Sequence, residues 1–295
     1  MGGAAGLRVA GWRLGRRLGQ GAQSAVFVAV READGTTAAL KTVPLPASAR
    51  AAFLQQAERA RRLRHPDIVE MIDAGVEIGI EGAIEGGMGW VAMELVPGGD
   101  LGRYTRRPRL LPEPIVLEVG ARVARALAHA HRHGLVHRDL KPANVLVHWP
   151  TRCVKLADFG LARAPGAEPT DSGVVPGSPA YMAPEQLAGA APDAPADLYA
   201  LGVVLFELLA GRRPYEGSSL GELLRRVATE PPPSLAAQRP DLPPALGALV
   251  GRLLARDPAE RGSDGDAVAA VLERIGAAAP PAGAHRRRRP AGRIA

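Results

Sequence analysis

His137-Arg138-Asp139-Leu140-Lys141-Pro142-Ala143-Asn144 runs directly into Val145-Leu146-Val147. The segment holds a carboxylate (Asp139), an ammonium (Lys141) and a carboxamide (Asn144). The apolar triplet behind them can anchor a buried strand. Three polar groups of different chemistry on a short loop at the edge of a core describe a site. A plain polar turn between a helix and a strand is the competing description. Two further segments weigh against that turn: Asp158-Phe159-Gly160 and Ala183-Pro184-Glu185. Their order and spacing carry more of the signal than any one segment does.

Taken together, these motifs resemble the signature set of the eukaryotic-type (Hanks-type) Ser/Thr protein kinases found in bacteria. The resemblance implies an α+β, two-lobed kinase fold with ATP in the cleft. A small β-rich N-lobe is expected over 12–96 and a larger, mainly helical C-lobe over 97–275. Residues 1–11 are expected as an N-terminal tail, and 276–295 as a basic Ala/Pro/Arg-rich disordered tail. By the same resemblance Asp139 accepts the proton of an incoming Ser or Thr hydroxyl, and Lys141 balances charge on the transferred phosphoryl group. Asn144 and Asp158 then hold Mg²⁺, a hard ion that takes oxygen ligands, with Mn²⁺ as a substitute.

The totals leave room for roughly two domains and a core. The chain has 295 residues, 46% of them hydrophobic, and carries a formal charge of +7. Part of that charge is local, with Arg286 to Arg289 near the C-terminus. It is read as an exposed tail that either contacts an acidic partner or merely solubilises, and nucleic acid is disfavoured as a partner. The single cysteine, Cys153, excludes an internal disulfide and fits a reducing, cytoplasmic setting. Met1 to Ala10 lacks the apolar stretch of a signal peptide. The apolar run Leu201 to Leu209 falls well short of the roughly 20 residues of a membrane span, so none is predicted.

Residues 12–30 alternate in polarity around a glycine-bearing centre and predict a β-hairpin turning at Gly19-Gln20-Gly21-Ala22-Gln23-Ser24. A glycine turn lets backbone N–H groups approach phosphate oxygens. The resemblance assigns nucleotide contacts to Leu18, Gly19, Gln20, Gly21, Ala22, Gln23, Ser24, Ala25 and Val26. Ser24 stands where the family has a third glycine, which alters the phosphate grip. Thr37 to Val43 reads as a strand carrying Lys41, the counterpart of the lysine that pairs with ATP phosphates. Ala39 and Val26 would cover the adenine, and Leu146 is assigned to the same site. Met93 would stand behind the adenine, the Glu94 carbonyl and Val96 N–H would pair with its edge, and Asp100 would lie near the ribose. Strands are expected at 68–75 and 90–96, with a glycine-rich turn between them.

A helix over 49–64 stops before His65-Pro66. Its apolar stripe is Phe53, Gln56, Ala57, Ala60 and Leu63. The family places a glutamate at the position of Gln56, to pair with the strand lysine. Glu58 lies about 200° around the helix from it and faces Arg61 and Arg62 instead. A glutamine can accept a hydrogen bond from Lys41 but cannot neutralise it, so lysine positioning should depend more on bound nucleotide.

Downstream, 115–131 reads as a helix ended by Gly134. His129 and His133 are four apart, but no carboxylate completes a metal site there, and His137 is expected in the core. The segment between Gly160 and Ala183 matches an activation loop in which Thr170 and Ser172 are candidate phosphosites. Arg138 would receive such a phosphate, and autophosphorylation within a dimer is compatible with this arrangement. Ser178 matches the position beside Asp139 and Lys141. Asp197 opens a nearly all-apolar helix, where it should serve as N-cap and bond the catalytic loop. Arg261 matches the partner of Glu185. Two rival readings remain open: a pseudokinase scaffold, favoured by Gln56 and Ser24, and a small-molecule phosphotransferase on the same fold.

Overall fold

The computed structural model describes residues 7–21, 24–78, 87–159 and 178–278. Among these, six antiparallel strands form one sheet: β1 (Arg8–Val9), β2 (Trp12–Gln20), β3 (Ala25–Arg31), β4 (Thr37–Pro44), β5 (Met71–Glu77) and β6 (Met88–Met93), in the order β1-β2-β3-β4-β6-β5. The β2–β3 hairpin follows from alternation. Trp12 and Leu14 are buried while Arg13 between them is exposed. β1 pairs with β2 and buries Val9, so part of the stretch expected as a tail belongs to the sheet.

Each face of the sheet has its own core. Trp12, Leu14, Leu40 and Trp90 cluster on one. On the other, helix α1 (Arg50–Arg61) lays Phe53, Ala57 and Ala60 against Met71 and Val91. That is the predicted stripe, with Gln56 half-buried at its edge and Leu63 buried just beyond the helix. The strands expected at 68–75 and 90–96 are displaced, and the reason lies outside the sheet. The Val69 N–H donates to the Leu156 carbonyl at 2.9 Å, and the Leu156 N–H donates to the Asp67 carbonyl at 2.8 Å. Residues 67–69 are therefore stapled to the second lobe and cannot join the sheet. β6 in turn ends at Met93, where the chain becomes the link between lobes.

A second, three-stranded sheet among the described residues comprises β7 (Gly99–Asp100), β8 (Val145–His148) and β9 (Cys153–Leu156). The link enters it at Gly98, which has φ +100° and lies so close to the Val147 carbonyl that a Cβ would collide with it. Helices α2 (Glu113–Arg132), α3 (Pro184–Leu187), α4 (Ala194–Ala210), α5 (Leu220–Thr229), α6 (Leu235–Gln238), α7 (Pro244–Leu253), α8 (Pro258–Arg261) and α9 (Gly265–Ala278) complete the lobe. α4 is its pillar, with every residue from Ala196 to Leu209 buried. α7 reaches it through Gly202, where a side chain would sit 2.8 Å from the Leu253 Cβ. Among the described residues, no helix is long and apolar enough to cross a membrane.

The expectation for Asp197 needs one correction. The N-cap of α4 is Asp193, whose carboxylate accepts from the Ala196 N–H at 3.2 Å. The sequence Asp193-Ala194-Pro195 suits a helix start because proline is tolerated in the first turn. Asp197 lies in that first turn, buried and turned away toward the loop at 137–138.

Arg261 is the most deeply buried cation of the lobe. It binds Glu185 with two parallel bonds of 2.8 and 2.6 Å, donates to the Pro195 and Arg256 carbonyls at 3.0 Å each, and lies over the Tyr199 ring. Removing the guanidinium would leave the Glu185 carboxylate without its counter-charge and take one donor from each of two carbonyls. Arg261→Ala should therefore lower stability by about 3–5 kcal/mol, visible as a fall in the urea midpoint. Arg261→Lys should recover less than half of that loss, because an ammonium cannot reproduce the planar fork.

Candidate active site

The loop after α2 is held by one carboxylate. Asp197 accepts from the His137 N–H at 2.8 Å, the Arg138 N–H at 2.9 Å and the His131 ring at 2.7 Å. Arg138 has φ +69°, a conformation that non-glycine residues avoid. The bond from its own N–H to Asp197 helps to hold it there. His137 is fully buried, as expected. Its Nε2 donates to the Ala157 carbonyl at 2.8 Å, its Nδ1 accepts from the Asp139 N–H at 3.3 Å, and its ring packs on Phe159 with centroids 4.8 Å apart. The loop is thereby tied to the segment after β9.

On this frame Asp139, Lys141 and Asn144 converge. Lys141 Nζ lies 2.6 Å from Asp139 Oδ2 and 3.1 Å from Ser178 Oγ. Asn144 Nδ2 donates to the Asp139 carbonyl at 2.8 Å and to Asp139 Oδ2 at 3.3 Å. With its NH₂ group so engaged, the amide oxygen of Asn144 takes no hydrogen bond among the described residues and can act as a ligand. The distant segment carrying Ser178 thus reaches the loop where the sequence motifs suggested.

Lys41 and Asp158 meet from opposite lobes. Lys41 Nζ lies 2.8 Å from Asp158 Oδ2, with the lysine side chain only 8% exposed. Asp158 has φ +65°, which turns it out of the β9 direction toward the cleft. Lys41 takes its bond from Asp158 and not from α1. Gln56 has no hydrogen bond among the described residues, whereas Glu58 pairs with Arg62 at 3.1 Å on the exposed side, as its helical position predicted. With the glutamine there, Asp158 supplies the ionic partner of Lys41.

The cleft wall assembles the remaining residues. Val26 is opposite Lys41, Val28 opposite Ala39, and Ala39 opposite Met93, so Val26, Ala39 and Lys41 sit on adjoining strands. Leu146 pairs with Asp100 across β7 and β8, and the Asp100 carboxylate accepts from the Gly102 N–H at 2.8 Å. The Glu94 side chain is drawn away by Lys155 Nζ at 2.7 Å and by the Glu70 N–H at 3.2 Å. Among the described residues, the Glu94 carbonyl and the Val96 N–H take no backbone partner. Leu18, Gly19 and Gln20 end β2, and Ala25 opens β3. The Gly21 N–H closes the turn on the Ser24 carbonyl at 2.7 Å. Ala22 and Gln23 lie outside the described residues, as do Gly160, Thr170, Ser172 and Arg286 to Arg289.

Sequence reasoning missed three contributors. Arg122 binds Asp67 and the Arg152 carbonyl, pinning the 67–69 staple to α2. Lys155 anchors the link between lobes. Tyr181 donates to Glu207 Oε2 at 2.6 Å from within the segment that carries Ser178. Burial pushes the Glu207 carboxyl up, and burial together with that bond carries the Tyr181 phenol well above its ordinary range. No local pattern marks such residues, because their partners lie far away in the chain.

This arrangement has known counterparts. The chain is 39% identical over 222 residues to the DNA damage-responsive serine/threonine-protein kinase RqkA of Deinococcus radiodurans, covering 73% of this chain and 32% of that protein. It is 37% identical over 227 residues to the serine/threonine-protein kinase PknA of Mycobacterium tuberculosis, covering 75% and 52%. The chain thus spans about a third to a half of the length of these relatives. The crystal structure of the Mycobacterium tuberculosis PknI kinase domain superposes with a TM-score of 0.72 at 34% identity, covering 92% of this chain and 98% of that one. The protein kinase domain model matches residues 12–272, and the chain belongs to that family.

Proposed function

We propose that this chain is a Ser/Thr protein kinase that transfers the γ-phosphoryl group of ATP to Ser or Thr hydroxyls of proteins. The observation that carries the reading is the convergence of Lys141 Nζ and Asn144 Nδ2 on one carboxylate oxygen of Asp139, with Ser178 on the far side of the lysine. An acceptor hydroxyl in this position donates its proton to Asp139, and its oxygen forms the new bond to the γ-phosphorus. The bond from that phosphorus to the bridging oxygen breaks, and ADP leaves with its electrons. Lys141 lies where it can offset charge on the transferred group. Catalysis of this kind is mostly positioning and charge stabilisation.

The residues present fit a divalent cation. The free amide oxygen of Asn144 and the second carboxylate oxygen of Asp158 are hard donors suited to Mg²⁺, with Mn²⁺ as a substitute. When bound, such an ion neutralises charge on the phosphates. Lys41 and the turn from Leu18 to Val26 would hold the triphosphate. Val26, Ala39 and Leu146 would enclose the adenine, whose edge the Glu94 carbonyl and Val96 N–H would pair. Because the reaction draws on ATP, the proposal carries with it a cytoplasmic setting. Autophosphorylation at Thr170 or Ser172, with Arg138 receiving the phosphate, belongs to the same proposal, as does a dimer in which one copy modifies the other.

Two measurements test it. Transfer of labelled phosphate from Mg-ATP to protein should fall by about a hundredfold or more in Asp139→Asn, which keeps the shape and loses the base. Equal transfer by both forms would refute the assigned role, and no transfer by the wild type would favour a pseudokinase. The second concerns Gln56→Glu, which gives Lys41 an ionic partner on α1 and frees Asp158 for the metal. Charge-assisted bonds are roughly twice as strong as neutral ones, so turnover or ATP affinity should rise by about fivefold. No change in either quantity would refute the view that this position limits the lysine.

A further inference from the structure

Two described segments near the catalytic loop are rich in arginine. Segments 103–110 and 211–216 contain Arg103, Arg106, Arg107, Arg109, Arg212 and Arg213 against a single carboxylate, Glu216. Both segments belong to the site's rim. The turn Leu101–Tyr104 packs on residues 142–144 of the catalytic loop. Gly211, at the end of α4, lies against Leu110, which brings the second segment alongside the first. Tyr181, three positions beyond the serine that Lys141 contacts, bonds Glu207 of α4.

The charges of this rim are largely unspent. Among the described residues Arg103, Arg106, Arg107 and Arg109 have no ion-pair partner. Arg212 bonds the neutral Gln238 at 2.9 Å, and Arg213 reaches Glu216 only at 3.9 Å. The one carboxylate nearest the serine segment, Glu207, is buried and already accepts the Tyr181 hydroxyl. It is therefore poorly placed to receive a cation from a substrate. Arg106 and Arg213, one from each segment, both act on Tyr181 and Glu207 through space, within electrostatic reach of the segment that carries Ser178. A flanking residue of an extended peptide advances about 3.3 Å per position, so side chains two or three places from the acceptor fall within an arginine's reach.

We infer that Arg106 and Arg213 select protein substrates carrying aspartate or glutamate within about three residues of the phosphorylated hydroxyl. This rests on the kinase reading above and names the substrate class of the same site. The positive rim would draw such segments in and repel basic ones.

The test compares three peptides with one common serine acceptor and acidic, neutral or basic flanks, each phosphorylated with Mg-ATP at low salt. The wild type should favour the acidic over the neutral peptide by about five- to tenfold in kcat/KM, mainly through KM, and added salt should erode the advantage. In Arg106→Ala/Arg213→Ala the advantage should vanish while the neutral peptide is turned over as before. In Arg106→Glu/Arg213→Glu the order should invert toward the basic peptide. Transfer without charge preference, or a preference that survives the double alanine change, overturns this inference and leaves the kinase reading standing. No transfer to any peptide or to the protein itself overturns both.

Discussion

The Asp197 carboxylate is the contact on which the rest of the site depends. It lies inside the first turn of the most buried helix, where an uncompensated charge would cost several kcal/mol. Two backbone N–H groups and the His131 ring satisfy it. The compensation works in both directions. The helix cannot keep its carboxylate buried without the loop, and the loop cannot hold Arg138 at φ +69° without the carboxylate. Asp139 follows immediately, so its position is set by the packing of the core and not by the loop alone.

From that anchor, order passes to the second lobe through β9. His137 bonds the Ala157 carbonyl, and the Leu156 backbone is stapled to residues 67 and 69. Asp158 then meets Lys41 across the cleft. With a glutamine at position 56, Asp158 is the only ionic partner of Lys41 among the described residues. The same carboxylate is the proposed metal ligand. Under that proposal one acidic group would serve two cations, so a bound metal would bear on how Lys41 is held. A glutamate on α1 would separate these roles.

The positive charge of the chain acquires a location in the fold. Two arginines are internal fasteners, Arg261 on Glu185 and Arg122 on Asp67, and Arg239 is offset by Asp241 at the surface. These carry little meaning for partners, because their charge is offset where they stand. Among the described residues the arginines of 103–109 are set apart by having no ion-pair partner, and Arg213 reaches Glu216 only at 3.9 Å. Net charge describes solubility and non-specific attraction, whereas the arrangement of unpaired charges governs recognition.

Much of the chemistry was legible in the linear sequence. The loop at 137–144, the aspartate at 158, the lysine at 41 and the glutamine at 56 are all local in their signal. Their resemblance, as an ordered set, to the kinase motifs identifies them, and Glu58 could be assigned to the exposed face from helix geometry alone. Strand ends at Met71 and Met93 could not be read, because the competing bonds come from Leu156, far along the chain. For the same reason the cap of α4 was misplaced: Asp193 and Asp197 look alike in sequence, and only the position of the catalytic loop decides which one is turned inward. The sequence by itself determined which groups are available, since side-chain chemistry and local periodicity are properties of neighbouring residues. The tertiary structure alone decided which groups share a charge, because the pairs Lys41 with Asp158, Asp197 with His137, and Tyr181 with Glu207 are made by packing between segments remote in the chain.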